Sequence, residues 1–112
     1  MKKITYNKLI RDRIGEIIQA DGKKPKISIL DDNDYLIELK KKVVEEAKEL
    51  QSAAIKSDIL GELSDLQELI DVILQTNNIS KQELEQSQSD KRQKRGSFDK
   101  KLFLEYVEDD LA

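Results

Sequence analysis

Two short stretches decide the fold: Val43–Leu50, "VVEEAKEL", and Gly61–Leu66, "GELSDL". Each spaces its apolar residues three and four apart, the pattern that lines one face of an α-helix. Each also sets carboxylates on the borders of that apolar stripe: Glu46 and Glu49 in the first, Glu62 and Asp65 in the second. Working outward, the first periodic segment extends from about Asn33 to Ala54, with N-cap candidates among Asp31 to Asp34. Ser57 or Asp58 is the expected cap of the second, which runs to Thr76 and stops at Asn77-Asn78.

Projection down each helix axis places the acids. In the first helix the stripe is Leu36, Leu39, Val43, Ala47, Leu50 and Ala54. Glu46 falls roughly 60° to one side of its centre and Glu49 roughly 120° to the same side, while Glu45 points nearly opposite, toward solvent or an outer shell. In the second the stripe is Ile59, Leu63, Leu66, Leu69, Ile70 and Ile73. Glu62 and Asp65 repeat the offsets of roughly 60° and 120° with the same rotational sense. The link is short, so the two helices are expected to run antiparallel. Reversal mirrors the sense of rotation, so both acidic borders land on one side of the pair. With the turn near Ile55-Lys56, Glu49 and Glu62 lie about six residues from it and Glu46 and Asp65 about nine or ten, giving two opposed rungs of carboxylates.

Such a cluster is costly without a counter-cation, because crowded carboxylates raise one another's pKa. An all-oxygen donor set favours Mg²⁺, Mn²⁺ or Ca²⁺ over zinc or copper. Mg²⁺ usually keeps waters and takes phosphate oxygens beside a few carboxylates, so a phosphate ester or anhydride is the natural substrate class. The plainer reading is a solvated face. With 23 acidic residues in the chain, Glu pairs beside a stripe arise by chance and pair with Lys on their own helix. The matched offset and matched level in both helices favour the site.

The remaining chain narrows the chemistry. Its 112 residues suit one domain, 1–112, and charged and hydrophobic residues each make up 38%, with four Gly and one Pro: a helix-rich composition with little loop. There is no Cys and no His. Disulfides, thiol chemistry, imidazole ligands and His-dependent nucleophiles are therefore excluded. No apolar run approaches the roughly 18 residues of a membrane span. The basic start interrupts its apolar residues with charge, unlike a signal peptide, so a cytoplasmic location is expected. A net charge of −3 argues against binding a nucleic acid polymer. "RDRIGEIIQADG" reads as a short helix stopping at Gly22, and "KPKISIL" as a short extended segment. "SKQE", Ser80–Glu83, is a capping box opening a helix that ends near Gly96. The tail from Phe98 to Leu111 alternates too weakly to assign; Phe98 suits a core anchor better than a base-stacking platform.

Basic residues gather at both ends: Lys8, Arg11 and Arg13, then Lys91, Arg92, Lys94, Arg95, Lys100 and Lys101. A polyphosphate held by metal on one side needs cations on the other, and Arg suits bidentate contact. Candidate phosphate ligands are Lys8, Arg11, Arg13, Lys91, Lys94 and Arg95. The alternative for Lys91 to Arg95 is a basic helix C-terminus that complements the macrodipole.

"EEAKE" at Glu45–Glu49 and "ELSD" at Glu62–Asp65 resemble the EExxE…ExxD signature of the MazG-like all-α nucleoside triphosphate pyrophosphohydrolases. "YNKLIRDRI" (Tyr6–Ile14) and "KRGSF" (Lys94–Phe98) resemble both ends of a short house-cleaning subgroup, whose usual forms are close to YNKLVRDKIP and KRGGF. Gly15 replaces the subgroup's Pro, and Ser97 its second Gly. The resemblance implies an all-α, antiparallel bundle completed by a second subunit, as a homodimer or homotetramer, with short extended segments near the termini. It implies Mg²⁺-dependent hydrolysis (with Mn²⁺ as a substitute) of a nucleoside triphosphate between the α and β phosphorus atoms. The implied metal ligands are Glu46, Glu49, Glu62 and Asp65, with Glu45 supporting. A water attacks the α-phosphorus, and Glu46 or Glu49 is the catalytic base if one is needed. Two rival readings are a phosphoribosyl-ATP pyrophosphohydrolase of histidine synthesis and a non-catalytic helical module that binds a nucleotide or protein.

Overall fold

The computed structural model describes residues 2–109. Among them are four α-helices and no strand: α1 (Ile14–Ala20), α2 (Asp32–Ser52), α3 (Lys56–Thr76) and α4 (Lys81–Arg95). The all-α expectation is met. None of these helices is long and apolar enough to cross a membrane. The chain divides into two compact units, Met1–Asn78 and Ile79–Ala112.

The first unit is organised by the α2–α3 hairpin. Asp31 caps α2, its carboxylate accepting the amide of Asp34 at 2.8 Å. This satisfies one of the four free amides at the helix start. The turn lies earlier than the sequence suggested, α2 ending at Ser52 instead of Ala54. Helix α3 begins at Lys56, and its N-cap is Ile55, without a side-chain hydrogen bond. Ser57 and Asp58 therefore lie inside the first turn, where Asp58 still favours the positive end of the dipole. Extended backbone at Ala53 and Ile55 turns the chain back. At the far end, Asn78 takes a left-handed conformation, φ 55°, just beyond the C-cap Asn77.

The hairpin's seam is rotated from the expected stripe. Leu39 and Leu74 are the buried apolar residues among those described, and Glu46 is the buried charged one. Leu36, Val43, Leu50, Ile59, Leu66, Leu69 and Ile73 are half-buried. Ala47, Ala54, Leu63 and Ile70 are exposed. The reason is geometric. An apolar stripe wider than about 100° cannot be covered by a single neighbouring helix. The contact falls on the flank carrying the acids, so Glu46 sits within the seam instead of beside it. The opposite flank, with Ile37, Val44, Leu60, Leu63 and Ile70, stays open.

The "KPKISIL" segment carries neither helix nor strand, and Ile29 is fully exposed; a lone segment has no ladder to join. It instead approaches α1, where a Cβ on buried Gly15 would come within 2.6 Å of Ile27 Cδ1. Gly15, where the resemblance has proline, is thus a position of close approach.

The second unit holds α4 and the segment after it. Its capping box forms as expected: Ser80 Oγ accepts the Glu83 amide at 3.1 Å, and the Glu83 carboxylate accepts the Ser80 amide at 3.4 Å. Gly96, at φ 82°, ends the helix. Residues 102–109 carry no regular element, and Leu111 lies outside the described residues. Phe98 is not a core anchor, being 97% exposed.

Leu39, only 1% exposed, is the apolar centre of the hairpin. Leu39→Ala should destabilise the chain by about 2–5 kcal/mol in urea titrations, whereas Ile29→Ala should leave the midpoint unchanged.

Candidate metal centre

The rotated seam brings acids from both helices together. Glu46 of α2 and Glu62 and Asp65 of α3 each offer an oxygen, all within 4.8 Å of one another. A second group at the same spacing is formed by Glu45, Glu46 and Glu49 of α2. Glu46 belongs to both and is the hub. Toward the turn, Glu49, Glu62 and Asp65 line an open groove with Ser52, Ser57, Asp58 and Gly61. Nothing stands within 4 Å of a Cβ placed on Gly61, which keeps that stretch of the groove unobstructed.

Burial decides the electrostatics. Glu46 is 7% exposed, and its Oε2 has no hydrogen-bond partner; neither does the buried Oε2 of Glu62. The nearest cation to Glu46 on its own helix is Lys42, 4.0 Å from Oε1. Desolvation is the largest cause pushing the Glu46 carboxyl up to about 8, followed by the closeness of the Glu62 and Glu49 carboxylates and by repulsion from Glu49 and Asp65. Glu45 goes the other way. A 3.1 Å hydrogen bond from Lys8 is the main reason its pKa is lowered, with Lys42 assisting at 3.4 Å.

Two orphaned, buried carboxylate oxygens on facing helices call for a proton, a water or a cation. The donors are all carboxylate oxygens, hard ligands that fit Mg²⁺ or Mn²⁺. Glu46, Glu62 and Asp65 are placed to hold such an ion, with Glu49 at its open side.

The basic residues divide. Arg11 Nη2 meets Asp65 Oδ1 at 2.6 Å, and Lys8 reaches Glu45, so the N-terminal segment lies against the acids. Arg13 instead faces Glu16 at 3.9 Å. Lys91, Lys94 and Arg95 belong to the second unit, where they line a groove along α4 with Glu83, Gln86 and Asp90. Lys94 and Arg95 lie in the last turn of α4, where they complement its dipole. Glu45 is half-buried and ion-paired with Lys8. Sequence reasoning missed Lys42; its spacing of three and four residues from Glu45 and Glu46 was the available signal.

No protein-family model and no solved structure matches the chain. Over 45 residues it is 47% identical to a protein of Mycolicibacterium smegmatis described as uncharacterized. That match covers 40% of this chain and 46% of the relative, so the chain spans less than half of that protein's length.

The raised Glu46 pKa has a definite consequence for stability without divalent cations. Unfolded, the group loses its proton near 4.5; folded, near 8. Between those values the folded chain binds more protons. The stabilisation is complete below the lower value and is lost as pH rises through the upper one. The Tm in EDTA should fall from pH 6 to pH 9. Glu46→Gln, which cannot ionise, should flatten that slope and exceed wild type at pH 9.

Proposed function

We propose that this chain is a metal-dependent nucleoside triphosphate pyrophosphohydrolase, releasing a nucleoside monophosphate and pyrophosphate. The observation that carries the reading is the pair of unsatisfied, buried oxygens of Glu46 and Glu62 beside Asp65, with Lys8 and Arg11 adjacent. Glu46, Glu62 and Asp65 would hold Mg²⁺, with Mn²⁺ as a substitute, and Glu49 would complete the set. When bound, the cation supplies charge neutralisation for the triphosphate oxygens.

The chain's own residues supply the rest. Glu46 is buried and serves to hold the cation. Glu49 is exposed and lines the groove, so it is the carboxylate that can orient an attacking water and accept its proton. Lys8 and Arg11 lie within reach of an anion bound at the acids and suit phosphate oxygens of the leaving pyrophosphate. The MazG-like signature at Glu45–Glu49 and Glu62–Asp65 supports the same chemistry. A house-cleaning role toward non-canonical triphosphates follows from that likeness.

The open apolar flank of the hairpin, with Leu60 65% and Val44 54% exposed, supports assembly into a homodimer or homotetramer. Exposed apolar surface of this kind is normally covered.

The test is pyrophosphate release over canonical and damaged nucleoside triphosphates, with phosphoribosyl-ATP included. Turnover should require Mg²⁺ or Mn²⁺ and vanish in EDTA. Glu49→Gln should lower kcat by roughly 100-fold or more while leaving Mg²⁺ binding measurable. Wild-type protein that binds Mg²⁺ but is inert across the panel would overturn the catalytic reading.

A further inference from the structure

We propose that the N-terminal segment is an internal counter-cation for the acidic site, which a divalent ion must displace. The inference rests on the metal-site reading above and adds a competitor that the site carries with it. Arg11 and Lys8 lie 54 and 37 residues from their acidic partners, yet each forms an ion pair with the site. Arg11 engages Asp65, which is grouped with Glu46 and Glu62, and Lys8 engages Glu45 of the other group. The segment thus places one of its basic residues on each carboxylate triad, beside Lys42 of α2, which pairs with Glu45 and Glu46.

The segment has little else to hold it. Residues 2–11 carry no helix or strand. Ile4, Tyr6 and Ile10 are exposed, and Leu9 alone among residues 2–11 is half-buried. The side chains of Lys8 and Arg11 are themselves 51% and 58% exposed. Ion pairs this open to solvent are weak and are screened by salt. A divalent cation among several carboxylates gains far more from the same oxygens. With a divalent ion held by these acids, Asp65 would no longer attract the Arg11 guanidinium and the segment would be held less firmly. Arg11 would then be free to pair with an incoming anion.

Calorimetric titration with Mg²⁺ and Mn²⁺ and limited trypsin digestion test this together on the full chain. Arg11→Gln, at a largely exposed position, should bind the metal roughly two- to fivefold more tightly than wild type. Arg11→Lys, which keeps the charge, should stay near wild type. In wild type, adding the metal should speed cleavage after Lys8 and Arg11, with cleavage after Arg95 in the same digest as the internal reference. Equal or weaker metal affinity in Arg11→Gln, or cleavage unmoved by a metal that does bind, overturns the counter-cation role and leaves the metal site standing. Absence of saturable metal binding to both wild type and Arg11→Gln overturns the metal site and this inference with it.

Discussion

A carboxylate held between two helices without a partner for one of its oxygens is the constraint on which the rest of this structure turns. Glu46 lies where a hydrophobic side chain would ordinarily complete the α2–α3 seam, and Glu62 brings a second unsatisfied oxygen to the same place. Replacing either by leucine would be expected to strengthen the seam, since buried polar groups rarely repay their desolvation. A fold that keeps them carries a standing electrostatic strain, which a proton, a basic side chain or a metal ion can relieve. The first is consistent with the raised Glu46 pKa, the second is present in the ion pairs from Lys8, Arg11 and Lys42, and the acids grouped around Glu46 offer the hard oxygens that the third would need.

The same constraint explains the apolar surface on the other flank. The seam's position gives the acids their burial, and it leaves Leu63, Ile70 and Val44 in contact with water. A hairpin that turned those residues inward would expel Glu46 to solvent and lose the cluster. Site and exposed flank are thus two consequences of one choice of contact face. A second layer covering that flank would let the hairpin keep both.

Much of this was legible in the sequence, for identifiable reasons. Helix existence followed from three- and four-residue apolar spacing, which survives any detail of packing. The capping box at Ser80 was read correctly because it is strictly local. The nearness of Glu46, Glu62 and Asp65 followed from equal offsets on antiparallel helices, a statement about symmetry that needs no knowledge of the seam's exact face. What failed depended on tertiary choice. The apolar positions span a broad stripe, whereas the seam selects one edge of it, and this moves Glu46 from border to interior. Ser57 and Asp58 look like better caps than Ile55, yet the extended residues at the turn decide where α3 begins.

Helix α4 invites a different kind of conclusion. None of its fifteen residues is buried, so its order comes from its own ends and its i to i+4 contacts, among them Gln86 to Asp90 at 2.9 Å. An isolated helix of that length is marginal in water. Its coil content is accordingly a continuous function of temperature, set by local statistics. On warming, circular dichroism would record a gradual, non-cooperative loss from this segment, on which any sharp transition of the hairpin is superimposed.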